Sequence, residues 1–226
     1  MRLSAADAAG REGKFNSTIL GDYEMTDKKT LGMSEKTFRL VLSAVMVGLA
    51  IVLSLIKLFQ LPLGGSITLC SMLPILIIGY KYGPKWGMFT GFVYSMVQLL
   101  LDAGLLAGFA GMHWQSVVGS VLLDYVIAFS VLGLAGIYGK GFSRFMLGMV
   151  TCVVLRFVSH VISGVVIFYA YAFDSNSFPA NLLFLKGHVF LYSAAYNGMF
   201  LLPELALCLV AGALLYKPLR SFLEQR

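Results

Sequence analysis

The chain has 226 residues, of which 58% are hydrophobic and 12% are charged, and its formal net charge is +6. This composition excludes an ordinary soluble domain with a polar surface and indicates a membrane protein. The basic residues lie in the breaks between apolar runs and not on one face, so they indicate membrane topology and not a nucleic-acid-binding surface.

The N-terminal segment, residues 1 to 35, is polar and lacks an apolar stretch long enough for a signal peptide. We expect a disordered extension there, followed by one membrane-embedded domain over residues 36 to 226. Cys70, Cys152 and Cys208 lie singly in apolar segments, so we expect small buried side chains and neither a disulfide nor a metal site.

Six apolar runs follow the extension, each bounded by Gly, Pro or charged residues. They span residues 38 to 59, 67 to 82, 86 to 106, 115 to 138, 143 to 173 and 188 to 216. A bilayer core about 30 Å thick takes roughly 20 residues per helix, so the pattern predicts an all-α bundle of six transmembrane helices. The second run is short, and Pro74 weakens it, so it is expected to be partly re-entrant or to start deep in the membrane.

Basic residues occur in every second break between the runs, and the other breaks are poor in Lys and Arg. The positive-inside rule therefore places both termini in the cytoplasm. Lys57, near the outer end of the first run, is the exception, and its side chain is expected to extend to the interface.

Four ionisable residues lie far from the ends of the predicted spans, where each costs several kcal/mol unless it is paired or hydrated. At about 1.5 Å per residue, Asp124 and Asn197 fall at the same depth and His160 about one helical turn deeper, so these three residues could line one outward-facing cavity. Arg156 and Glu204 lie deeper and close to one level, so a buried ion pair between them is preferred to a role in ligand binding.

One face of the fifth run carries His160, Gly164 and Phe168 at four-residue intervals. Two flat rings flanking a glycine would accept a planar ligand, but a helix-packing groove at Gly164 explains the glycine equally well. Tyr125 and Tyr192 lie close in sequence to Asp124 and Asn197. A carboxylate among aromatic rings suits an organic cation.

Five segments, in this order, resemble the thiamin-specific substrate-binding subunit of energy-coupling factor (ECF) vitamin transporters. They are LPLGGSITLCSMLPI, YGPKWGMFTG, LLDYVIAF, RFVSHVISGVVIFYAYAF and YSAAYNG. The likeness covers residues 36 to 218, and the segments around His160 and Asn197 discriminate best.

The resemblance implies that thiamin binds in an outward cavity beneath a lid formed by the loop between spans one and two. It places a counter-charge to the thiazolium and an acceptor for the aminopyrimidine at Asp124, ring stacking at His160 and Phe168, and hydrogen bonds at Tyr192 and Asn197. Some members of the family carry Glu and Trp at the positions of Asp124 and Phe168. Ring surface from Trp114 and Tyr125 is expected to compensate for the smaller residues.

Uphill uptake needs an energy source, and the sequence contains no phosphate-binding G-x-x-x-x-G-K-[ST] loop. The resemblance implies two ABC-type ATPase subunits and a transmembrane coupling (T) subunit as partners, and no resident cofactor. Ala44 and Gly48 in the first span would permit close helix approach, either to that subunit or within the bundle.

Two other classes of protein remain as alternatives. A proton-coupled carrier could use Asp124, His160 and Glu204 as a relay. An intramembrane enzyme has little support, because the sequence contains neither a HExxH nor a GxSxG motif.

Overall fold

The computed structural model describes residues 34 to 61, 65 to 102, 112 to 169, 173 and 185 to 224. These ranges form six helical segments and one two-stranded hairpin. In chain order they are α1 (Glu35–Leu55), β1 (Lys57–Gln60), β2 (Ser66–Thr68), α2 (Leu73–Tyr82), α3 (Pro84–Leu101), α4 (Trp114–Gly136), α5 (Phe142–Val166) and α6 (Val189–Glu224). Most of the predicted N-terminal extension falls outside the described residues.

Four of the described helices, α1, α4, α5 and α6, are long and apolar enough to cross a membrane. Large apolar side chains on the outer surface of the bundle are exposed, as expected for contact with lipid; examples are Leu100, Leu202 and Leu214. The 10 residues of α2 span about 15 Å, roughly half of a bilayer core. The six-span topology and the cytoplasmic termini therefore stay predictions.

Local sequence signals explain where α1 begins and where α2 and α3 join. The Ser34 hydroxyl caps α1 by accepting a hydrogen bond from the Thr37 backbone N–H at 3.2 Å. Gly83 separates α2 from α3 at a φ of +89°, a conformation that residues with a side chain rarely adopt. Pro84 then starts α3, where its missing N–H costs no hydrogen bond.

The hairpin corrects the predicted limits of spans one and two. Helix α1 ends at Leu55, and β1 pairs antiparallel with β2, placing Lys57 opposite Thr68 and Gln60 opposite Ser66. Lys57 therefore lies on a strand at the cavity described below, and not at the end of a membrane helix. Strand pairing satisfies backbone groups that a helix would otherwise satisfy internally.

Glycines hold α2, α3 and α4 in direct backbone contact. A Cβ atom built on Gly133 of α4 would overlap the Gly87 backbone of α3, and one built on Gly79 of α2 would overlap the Gly133 backbone. Such contact requires residues without side chains, as in closely packed membrane helices generally. These three helices form one side of the bundle, and α5 packs along α6 to form much of the other.

Candidate functional site

A cavity of about 710 Å³ opens at one end of the bundle. It lies where α1, α3 and α5 end and where α4 and α6 begin, and the hairpin covers part of it. Its volume falls within the range of about 300–1,000 Å³ typical of small-molecule sites. The described side chains that line it include three carboxyl groups (Asp102, Asp124, Glu204) and two basic groups (Lys57, Arg156), along with several aromatic rings.

Asp124, His160 and Arg156 form a hydrogen-bonded chain along the cavity wall. The His160 Nδ1 and Asp124 Oδ1 atoms lie 2.9 Å apart, and the Arg156 Nε–H donates to His160 Nε2 at 3.3 Å. With Nε2 as an acceptor, the imidazole donates its Nδ1 proton to the carboxylate. A neutral imidazole thus joins a negative and a positive group.

Two serines complete the surroundings of the Asp124 carboxylate. Ser120 Oγ and Ser163 Oγ donate to Asp124 Oδ2 at 3.1 and 2.5 Å. A carboxylate offers about four lone-pair sites, and these serines and His160 use three of them. The donors among the described residues therefore leave one acceptor site on Asp124 for a ligand.

The backbone of α4 departs from a regular α-helix at this carboxylate. Val121–Ile127 has π-helical hydrogen bonding and includes Asp124 and Tyr125. Ser159 Oγ on α5 donates to the Leu123 carbonyl oxygen at 2.6 Å and so satisfies one of the displaced backbone groups. Wide helical turns of this kind are frequent at functional sites.

Asp102 is a cavity carboxyl group that the sequence interpretation missed. It follows α3 directly, and the Tyr125 hydroxyl donates to its Oδ2 atom at 2.7 Å. The only signal for it was an acidic residue inside the run predicted for residues 86 to 106. The hydrogen bond holds the Tyr125 side chain at the cavity wall.

The ion pair predicted between Arg156 and Glu204 is not formed among the described residues. Glu204 instead accepts from Thr68 Oγ1 at 2.5 Å, from the Thr68 backbone N–H at 3.3 Å and from Ser71 Oγ at 3.2 Å. The Arg156 guanidinium lies 4.2 Å from the centre of the Phe129 ring. Thr68 of the hairpin and Ser71, which follows it, supply the donors for Glu204, and a hairpin was not predicted there.

Tyr196 and Phe200 of α6 hold the far end of the hairpin. The Gly65 backbone N–H donates to the Tyr196 hydroxyl at 3.1 Å, and a Cβ atom at Gly65 would lie 2.8 Å from the Phe200 ring. The contacts at Gly65 and at Thr68 fix the hairpin over the cavity at two points.

Most of the predicted site residues lie together around this cavity. Seven of them line it: Asp124, Tyr125, His160, Gly164, Phe168, Tyr192 and Asn197. Trp114 does not, because its side chain is 70% exposed on the first turn of α4. The structure therefore contradicts the prediction that the Trp114 ring adds surface to this site.

Gly164 has a packing role as well as a place in the cavity wall. A Cβ atom there would overlap the Ser193 hydroxyl of α6. Ser193 Oγ also donates to the Val161 carbonyl oxygen at 3.2 Å, and the Asn197 amide donates to the Ser193 carbonyl oxygen at 2.9 Å. The glycine therefore brings α5 close to the part of α6 that carries Asn197.

A comparison with protein families decides the family of the chain. The family described as "Thiamine transporter protein (Thia_YuaJ)" matches residues 40–223. The chain belongs to the thiamine transporter protein family. Together with the membrane-spanning helices, membership makes it a multi-pass cell membrane protein involved in thiamin uptake.

Individual relatives agree with this membership. The thiamine transporter ThiT of Bacillus subtilis (strain 168) is 27% identical over 201 residues, which cover 82% of this chain and 94% of the relative. A solved structure of ThiT from Listeria monocytogenes superposes with a TM-score of 0.64 at 20% identity. That match covers 84% of this chain and 99% of the ThiT chain, and it supports the same fold for this thiamine transporter family member.

Proposed function

We propose that the cavity binds thiamin and that the chain acts as the substrate-binding (S) component of an ECF-type transporter. The observation that carries the proposal is the Asp124 carboxylate, which lies in a cavity lined by aromatic rings and keeps one acceptor site that no described residue uses. Thiamin has a cationic thiazolium and an aminopyrimidine with N–H donors, and this wall offers a partner to each.

In the proposed complex, Asp124 provides the counter-charge and accepts a hydrogen bond from the aminopyrimidine. His160 and Phe168 offer ring faces, and Tyr192 and Asn197 offer hydrogen-bonding groups. His160 is held by hydrogen bonds on both ring nitrogens, so its orientation is set before the ligand arrives.

Partnership with a coupling subunit is supported by the surface of α1. Ala44 and Gly48 are both exposed, and no atom lies within 4 Å of a Cβ built on Gly48. Neither residue is therefore used for close packing inside the described bundle. A helix of a partner could approach α1 along this line.

Calorimetry on the purified chain tests the ligand. We expect binding of thiamin, with weak or no binding of riboflavin and biotin; thiamin phosphates would show whether the cavity also admits the esters. A flat titration with thiamin, in a preparation that still melts cooperatively, would contradict the proposal.

The hydrogen-bonded chain from Asp124 through His160 to Arg156 supports a second candidate, a proton-coupled carrier. Uptake assays in cells separate the two functions. Uptake that requires co-expressed ATPase and T subunits supports the S component, whereas uptake by the chain alone that an uncoupler abolishes supports the carrier.

A further inference from the structure

A second cavity, of about 840 Å³, lies at the opposite end of the bundle. It is formed where α1 and α5 begin and where α2 and α4 end. We name it the basic cavity after the described residues that line it. Five are basic (Lys36, Arg39, Lys81, Lys140, Arg144) and one, Glu35, is acidic.

Two of the lysines serve the structure of the bundle. Lys140 Nζ donates to the carbonyl oxygens of Tyr80 (2.6 Å), Lys81 (3.1 Å) and Leu223 (2.8 Å), and Lys81 Nζ donates to that of Phe222. These ammonium groups satisfy the carbonyl ends of α2 and α6. Both side chains also line the cavity.

Within the described ranges, the other three basic side chains have no acidic partner. Among the described residues, no carboxylate forms an ion pair with Lys36, Arg39 or Arg144. Glu224, at the end of α6, is engaged with Arg220 at 3.1 Å and with the Tyr216 hydroxyl. Within the described residues, the charges of Lys36, Arg39 and Arg144 therefore have no acidic counterpart.

Arg39 is the most constrained of these groups. Its guanidinium lies 4.2 Å from the centre of the Trp86 ring, and its Nε atom is buried without a hydrogen-bond partner in the described part of the chain. A largely buried guanidinium without an anionic partner is costly, and an anionic oxygen in the cavity would supply that partner.

Apolar side chains continue from the basic cavity onto the outer surface of the bundle. Leu40 on α1 is 57% exposed, and Ile137 and Phe142, which flank the connection from α4 to α5, are 56% and 48% exposed. A free phosphate would use only the charges. A phospholipid would use both features, because its headgroup fits a basic cavity and its acyl chains need an apolar surface.

We propose that the basic cavity binds the phosphate headgroup of an anionic phospholipid. The orientation predicted from the positive-inside rule would place this cavity in the cytoplasmic leaflet, where Lys and Arg commonly meet anionic lipid. The site is separate from the thiamin cavity and does not depend on the function proposed for it.

Native mass spectrometry of the full chain in neutral detergent tests the proposal, with phosphatidylglycerol and phosphatidylcholine as probes. The double variant Arg39→Gln/Arg144→Gln removes two unpaired charges from the basic cavity. The matched control, Lys85→Gln/Lys217→Gln, removes two exposed charges near the same end that do not line it. We expect phosphatidylglycerol binding to weaken roughly tenfold or more in the first variant and by less than about threefold in the control.

Three outcomes would overturn the proposal. The first is equal binding of phosphatidylglycerol by both double variants, and the second is equal binding of phosphatidylcholine and phosphatidylglycerol by the wild type. The third is full competition by glycerol phosphate, which carries the phosphate charge but no acyl chains. Thermal melts by circular dichroism check folding. If the Arg39 variant does not fold, Arg144→Gln alone decides, because this exposed side chain leaves the core intact; unchanged phosphatidylglycerol binding would then refute the site.

Discussion

Replacement of Asp124 by Asn is the sharpest test of the proposal that this cavity binds thiamin. The substitution keeps the shape of the side chain but removes the negative charge, and it turns one acceptor atom into a donor. Three donors now point at this group, from Ser120, His160 and Ser163. The amide can accept from some of them but not from all, and it gives a cationic ligand no counter-charge.

The expected loss follows from the interaction removed. A hydrogen bond to a charged group contributes about 1.5–3 kcal/mol, which corresponds to roughly a 10- to 150-fold increase in the Kd for thiamin. The fold should survive, because the residue lies on a cavity wall and keeps its volume.

Calorimetry is the assay of choice because the chain has two tryptophans, Trp86 and Trp114, and neither lines the cavity. Asp102→Asn is the matched control, since it removes an equal charge from the same cavity but from a carboxylate already bonded to Tyr125. We expect that control to change the Kd less than about fivefold, as for a solvent-screened charge. Unchanged affinity in Asp124→Asn, or equal losses in both variants, would refute a direct contact between Asp124 and the ligand.

Three further predictions concern the hairpin, the glycine contact and the surface of α1. Glu204→Ala leaves the hydrogen-bond donors of Thr68 unsatisfied and so loosens the hairpin. Thiamin should then dissociate faster in stopped-flow measurements, and the melting temperature of the protein should fall. An unchanged dissociation rate would show that this contact does not hold the hairpin closed. Gly133→Ala forces a methyl group into the Gly87 backbone and should destabilise the bundle by about 1–3 kcal/mol or prevent folding, whereas Gly48→Ala, with open space around it, should melt like the wild type. Ala44→Trp should bind thiamin normally but fail to co-purify with a T subunit, and normal co-purification would exclude docking on this face of α1.

Hydropathy predicted the helical segments well because a membrane helix must present apolar side chains to lipid over most of its length. All six described helices overlap the predicted runs. The ends differ where local signals are weak: α5 ends at Val166, earlier than predicted, and α6 continues to Glu224.

The hairpin could not be predicted from its own composition. Lys57–Gln60 continues the apolar run of α1, and its strand conformation depends on pairing with Ser66–Thr68. Because the hairpin was not predicted, the wrong partner was predicted for Glu204. Its estimated depth in the membrane placed Glu204 near Arg156, but depth gives no information about hydrogen-bond donors from residues outside the helices.

Depth and helical spacing were more successful for the ligand cavity. They grouped Asp124, His160 and Asn197, which all line it, because a helix fixes both the level and the face of a residue. The π-helical turn at Asp124 had no counterpart in the sequence pattern. It depends on a hydrogen bond from Ser159 of a neighbouring helix, which the sequence pattern of α4 alone does not reveal.

The direct backbone contact among Gly79, Gly87 and Gly133 limits how the protein can move. Side chains at most helix interfaces can change rotamer and let one helix slide past another. These three glycines have no side chain that could do so. We therefore expect α2, α3 and α4 to travel as a single block during any transport cycle. Opening and closing of the cavity would then require movement of the hairpin, of α1 and of the N-terminal half of α6.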